Sequence, residues 1–99
     1  MNKDIRHLTV SFQGEHGAYS EQAAETFFGT SVISEPYNTL KQVFRTVENG
    51  SVGYGVVPAE NSLEGSINQT YDLLLQSFLK IDEEIKTRVS HCLLAYSRS

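Results

Sequence analysis

The sequence has no tryptophan, one cysteine and two prolines, and its eight basic residues are outnumbered by twelve acidic ones. Each scarcity excludes something. A single cysteine, Cys92, gives neither an intrachain disulfide framework nor the thiolate set of a structural zinc. The formal net charge of -4 repels phosphate backbones and anionic lipid, and only Lys41 and Arg45 share a helical face. Neither nucleic acid nor a membrane surface is an expected partner. No run of eighteen apolar residues is present, so nothing spans a bilayer as a helix. Residues 1–7 lack the apolar stretch and small-residue cleavage site of a signal peptide, and the expected location is the cytoplasm. On that reading the glycosylation-like triplets at Asn49 and Asn68 are chance matches. The three histidines lack metal-ligand spacing, and no Gly-x-Ser-x-Gly elbow occurs. Gly14-x-x-Gly17 fits neither a dinucleotide fingerprint nor a phosphate-binding Walker loop, so nucleotide binding gets little support.

What is present suffices for one small core. Ninety-nine residues at 39% hydrophobic are too few for a two-lobed enzyme with its own interdomain cleft. Leu8, Val10 and Phe12 alternate with polar residues and run into Gly14 and Gly17, which predicts a strand and a tight loop. Ser20 is placed to cap a following helix that buries Ala23, Ala24, Phe27 and Phe28 and stops at Gly29. A short strand over residues 31–34 precedes Pro36, which forbids helix at Glu35. Thr39 with Gln42 makes a capping box, and Leu40, Val43, Phe44 and Val47 recur at helical spacing until Gly50. Residues 52–57 form a third strand in which Gly53 and Gly55 imply close approach by a neighbour. Ser66 is placed to cap a third helix carrying Ile67, Tyr71, Leu74 and Leu75, with Tyr71 and the Leu73-Leu74-Leu75 run assigned to the core. Residues 78–96 read as one or two extended segments with a charged face, and Cys92 as a buried, inert thiol. The order β-α-β-α-β-α followed by extended strands predicts an α/β fold, a mostly parallel sheet flanked by helices.

In open parallel sheets, ligands bind beyond the carboxyl ends of the strands. Three loops belong there, and they carry Gln13, His16, Tyr19, Ser20, Asn38, Thr39, Glu60, Asn61, Ser62 and Ser66. All three feed helix N-termini, whose unpaired amides favour an anion. None contains lysine or arginine, which suits a small carboxylate held by amides and hydroxyls better than a polyphosphate. Ser20, Thr39 and Ser66 are each also explained as helix caps. Glu60 is read as a partner for backbone amides, and His16 and His91 stand outside any triad.

Four blocks carry a family resemblance. Residues 12–20 (Phe-Gln-Gly-Glu-His-Gly-Ala-Tyr-Ser), 54–66 (Tyr-Gly-Val-Val-Pro-Ala-Glu-Asn-Ser-x-x-Gly-Ser), 71–74 (Tyr-Asp-Leu-Leu) and 91–94 (His-Cys-Leu-Leu) resemble the first half of the prephenate dehydratase family, which includes arogenate dehydratases. The resemblance implies residues 1–99 as the N-terminal portion of the catalytic domain, a partial lobe of a fold like the type II periplasmic binding proteins. It implies a cofactor-free carbon–oxygen lyase in phenylalanine biosynthesis that takes prephenate, or arogenate. It also implies Asn61 and Ser62 as substrate contacts, with Gly17, Ala18, Tyr19, Ser20, Thr39 and Ser66 shaping their side of a cleft between two lobes. Ala59 stands where a larger aliphatic residue is common. The family's Thr-Arg-Phe block, whose threonine is its acid, and its regulatory ACT domain are absent from these residues. The chain is thus expected to supply one wall of a cleft, to need the second lobe of the same protein, to be inactive alone, and to belong to a homo-oligomer when whole. The alternative is a stand-alone module that binds a small carboxylate without catalysis.

Overall fold

A computed structural model describes residues 9–29, 31–58, 67–86 and 90–96. Their order is β1 (Thr9–Gln13), α1 (Tyr19–Phe28), β2 (Ile33–Tyr37), α2 (Leu40–Glu48), β3 (Tyr54–Pro58), α3 (Ile67–Leu75), β4 (Leu79–Lys86) and β5 (Ser90–Tyr96). The five strands form one sheet in the order β2-β1-β3-β5-β4. β1 pairs in parallel with β2 and β3, as expected of strands joined through helices. β5 instead runs antiparallel to both β3 and β4, so the sheet is mixed and its last two strands form a hairpin.

Side-chain alternation along the strands feeds two cores, one on each face. Val10, Phe12, Val56 and Leu93 meet Ala23 and Ala24 of α1. The intervening Val57, Cys92 and Leu94 meet Leu40, Val43, Phe44 and Val47 of α2, joined at the edge by Leu73 and Leu74 of α3. Ser11 also points to the α2 face, where its hydroxyl lies 3.0 Å from that of Thr46, which in turn donates to the Val43 carbonyl at 2.8 Å. α2 sits low on the sheet because Gly55 has no side chain. A Cβ there would meet Val43 Cγ1 and Val47 Cγ2 at 3.0 Å, the close approach expected of this strand.

The local signals were of uneven value. The Thr39–Gln42 capping box forms in both directions, with Gln42 N–H donating to Thr39 Oγ1 at 3.1 Å and Thr39 N–H to Gln42 Oε1 at 3.2 Å. α1 ends at Gly29 as expected. It begins earlier than expected, however, with Ala18 as N-cap and no side-chain cap, so Ser20 lies within the helix and does not cap it. Phe27 is exposed and Phe28 half-buried against Tyr54, because only the Ala23–Ala24 side of α1 lies flat on the sheet. β2 starts two residues later than expected and includes Pro36, which an edge strand tolerates since half its amides face no neighbour. In α3 the assignment of Tyr71 and Leu75 to the core is overturned. They are 48% and 85% exposed, since among the described residues this short helix meets the rest of the fold along its Leu73–Leu74 side. Phe78 is exposed as well. β4 forms the opposite edge, with Lys80, Asp82, Glu83, Glu84 and Lys86 outward and a register shift between Ile81 and Glu83, features that discourage edge-to-edge pairing. Among the described residues no helix is long and apolar enough to cross a membrane.

Two stability measurements test this packing. Gly55→Ala should lower the unfolding free energy by about 1–3 kcal/mol in urea titrations, since two valines on a rigid helix must retreat. Thr70, buried on α3 with no hydrogen-bond partner for its hydroxyl among the described residues, predicts the opposite sign. Thr70→Val should leave stability unchanged or raise it by about 1 kcal/mol, because the substitution removes an unsatisfied polar group at nearly constant volume.

Candidate functional site

The topology determines where a ligand crevice opens. From β1 the chain passes through α1 to β2 on one side, then through α2 back across β1 to β3 on the other. Crossovers of one hand running in opposite directions put α1 and α2 on opposite faces, as the two cores confirm. The carboxyl ends of β1 and β3 therefore flank a switch point, the usual ligand crevice of an open α/β sheet. Because β5 is antiparallel to β3, its beginning comes to the same place, and His91 is paired opposite Pro58.

The first two loops converge there as the sequence predicts. Gly14 N–H donates to the Tyr37 carbonyl at 2.9 Å, and Gln13 Nε2 to the Asn38 carbonyl at 3.2 Å. Tyr37 is anchored by its hydroxyl, which donates to Glu35 Oε1 at 3.0 Å, and burial followed by that bond raises its pKa above the usual phenol value. Gly17 adopts a φ of 96°, a conformation that side chains resist, so the turn into α1 depends on a glycine at this position. Its N–H donates to Glu21 Oε1 at 2.6 Å, while His16 Nδ1 lies 2.8 Å from Glu21 Oε2. Glu21 thus folds back over its own helix start. The backbone bond from Gly17, and after it the bond from His16, hold its carboxyl below the usual value.

Of the residues read from the sequence, Gly17, Ala18, Tyr19 and Ser20 lie in one segment at the α1 start, with Thr39 on the neighbouring loop. The Gly17 amide is engaged by Glu21, and the Thr39 hydroxyl serves as a cap. Tyr19 is half-exposed. Glu60, Asn61, Ser62 and Ser66 lie outside the described residues, in the connection between β3 and α3. The residue that sequence reasoning missed is His91. It is 3% exposed, Ser20 is 8% exposed, and Ser20 Oγ lies 3.1 Å from His91 Nε2. Nothing in the spacing of two residues so far apart in the chain points to this pair. The available signal was a polar histidine entering an otherwise apolar strand that begins at the crevice end of the sheet. Among the described residues no group of three histidine, cysteine or acidic side chains is arranged for a metal.

Comparison with known proteins agrees with this architecture. The chain superposes on GqqA, described as a novel type of quorum-quenching acylase, with a TM-score of 0.78 and 27% identity over 93% of this chain and 48% of that one. On prephenate dehydratase from Streptococcus mutans the TM-score is 0.76, at 24% identity over 88% of this chain and 48% of that one. In sequence it is 45% identical over 87 residues to a bifunctional chorismate mutase/prephenate dehydratase of Stutzerimonas stutzeri, covering 88% of this chain and 24% of the relative. It is 47% identical over 88 residues to arogenate dehydratase 2 of Petunia hybrida, covering 89% and 22%. Residues 10–99 match the sequence profile of the family described as prephenate dehydratase. The fold is a mixed α/β sheet of the periplasmic-binding-protein-like class. The chain belongs to the prephenate dehydratase family, and it spans about a quarter of the length of the curated relatives it matches.

The Glu21 clamp has a defined pH response. Its folded-state pKa lies below the usual value of 4.5, so its contribution to stability is complete above about pH 4.5 and fades as pH falls through the lower folded value. In an acid titration followed by NMR, the Gly17 amide shift should report a midpoint below 4.5, and Glu21→Gln should abolish that transition.

Proposed function

We propose that the chain forms one wall of the substrate cleft of a prephenate dehydratase, with residues 1–99 as the N-terminal portion of its catalytic domain. The observation that carries the reading is the family match over residues 10–99, which includes the Pro-x-Glu-Asn-Ser block that follows β3 in the sequence. In the reaction the ring carboxylate of prephenate leaves as carbon dioxide. The electron pair of that carbon–carbon bond aromatises the ring and expels the ring hydroxyl, which takes up a proton and departs as water, leaving phenylpyruvate. Aromatisation supplies the driving force, so the protein's part is to orient a dicarboxylate and place an acid near the hydroxyl.

On this wall, Asn61 and Ser62 contact the substrate, and Ser66, Gly17, Ala18, Tyr19, Ser20 and Thr39 border it. Asn61 positions the substrate and stabilises charge, since an amide does not supply a proton readily. The acid belongs to the Thr-Arg-Phe block, carried by another part of the protein, whose second lobe closes the cleft. The exposed Tyr71, Leu75 and Phe78 fit a lobe covered by further chain. No group in the mechanism requires a cofactor, and the whole protein is proposed to be a cytoplasmic homo-oligomer acting in phenylalanine biosynthesis.

The test is to incubate the purified chain with prephenate near neutral pH while following phenylpyruvate, and to titrate it separately with phenylpyruvate by NMR. No turnover is expected, together with phenylpyruvate-induced shifts of the Ala18, Tyr19 and Ser20 amides that Asn61→Ala weakens about tenfold, the loss of roughly one hydrogen bond to a charged group. Turnover approaching that of a full-length relative would overturn the single-wall reading, and absence of those shifts would overturn the cleft assignment.

A further inference from the structure

Ser20 and His91 form a buried polar pair, and the direction of the hydrogen bond between them decides what the crevice offers a ligand. Oγ and Nε2 are 3.1 Å apart, and each side chain is more than nine-tenths buried. The serine hydroxyl has one proton. If it donates to His91, only lone pairs are left for a ligand, and those repel an anion. If His91 donates from Nε2, the Ser20 proton is left for another acceptor. Ser20 lies in the first turn of α1, two residues past the N-cap Ala18, and among the described residues its hydroxyl is engaged with His91 rather than with a helix amide. His91 reaches it from the start of β5, opposite Pro58 at the end of β3.

We propose that His91 is a positioning residue: neutral and protonated on Nε2, it donates to Ser20 Oγ and turns the Ser20 hydroxyl proton toward a carboxylate of the substrate. This rests on the cleft reading above. A carboxylate at this helix start would select the same orientation, because it rewards a hydroxyl donor and penalises two facing lone pairs. With no lysine or arginine in the described loops at this edge, one correctly oriented hydroxyl is a large share of the available recognition.

The experiment has two arms. In the chain labelled with nitrogen-15 at histidine, imidazole NMR should show His91 protonated on Nε2 without any ligand. A ring protonated on Nδ1, with Ser20 donating to Nε2 and His91 left as a base toward it, overturns the proposal. In phenylpyruvate titrations, Ser20→Ala and His91→Phe should each weaken binding about tenfold, the double variant no more than either alone, and His91→Gln, which keeps a donor near Nε2, should stay within about threefold of the original. Additive losses, or a His91→Gln variant as weak as His91→Phe, also overturn it. Should the unaltered chain fail to bind phenylpyruvate, the cleft reading falls, and the protonated nitrogen of His91 still decides the pair.

Discussion

β3 is paired in parallel with β1 on one side and antiparallel with β5 on the other, and the rest of the structure depends on that double pairing. The parallel side requires a helical return across the sheet, and with it come α2 and its core, while α1 joins β1 to β2 on the opposite face. The antiparallel side brings the beginning of β5 to the end of β3 and so places His91 beside the helix that follows β1. Gly55 makes the arrangement compact, since the valines of α2 rest where a side chain would stand. A residue with a Cβ at this position would push α2 outward and loosen the face on which Val57, Cys92 and Leu94 are buried.

On the proposed reading, the crevice would meet a carboxylate with few charges of its own. Glu21 occupies the Gly17 amide and thereby stabilises the tight turn that starts α1, but it also places a carboxylate close to a site read as anion-binding. The two roles are compatible if the ligand is met by Ser20 and the remaining first-turn amides rather than by Gly17. Recognition then depends on the orientation of neutral donors, which is fixed by burial and by second partners and not by long-range attraction. His91, from the far end of the chain, is such a partner for Ser20.

Much of the fold was legible because short-range rules decided it. The Thr39–Gln42 box, the glycine stop of α1, the apolar stripe of α2 and the close approach at Gly55 all involve residues within a turn of one another or a missing Cβ. Where tertiary contact decided, the sequence reading failed in recognisable ways. Tyr71 and Leu75 have the spacing of a core face, yet spacing states only that residues share a side, not that something covers it. Ser20 has the residue type of a cap, but the helix starts before it and its hydroxyl turns inward to a histidine. Of the candidate site, the shared edge of the first two loops was read correctly from topology alone; the third loop, with Asn61, Ser62 and Ser66, was assigned to the same edge but lies outside the described residues, and its role in contacting substrate came from family resemblance.

The scarcities of the sequence, together with its apolar periodicity, determined by themselves a small acidic α/β unit without disulfides, and the four blocks determined its family. These follow from composition and from local order along the chain. Tertiary structure alone decided that the sheet is mixed, that α3 leaves Leu75 and Tyr71 uncovered, and that Ser20 meets His91. The first and last depend on which strand lies beside β3 and the second on which side of α3 meets the α2 core, choices settled by the free energy of burying whole faces against each other and not by any residue's neighbours in sequence.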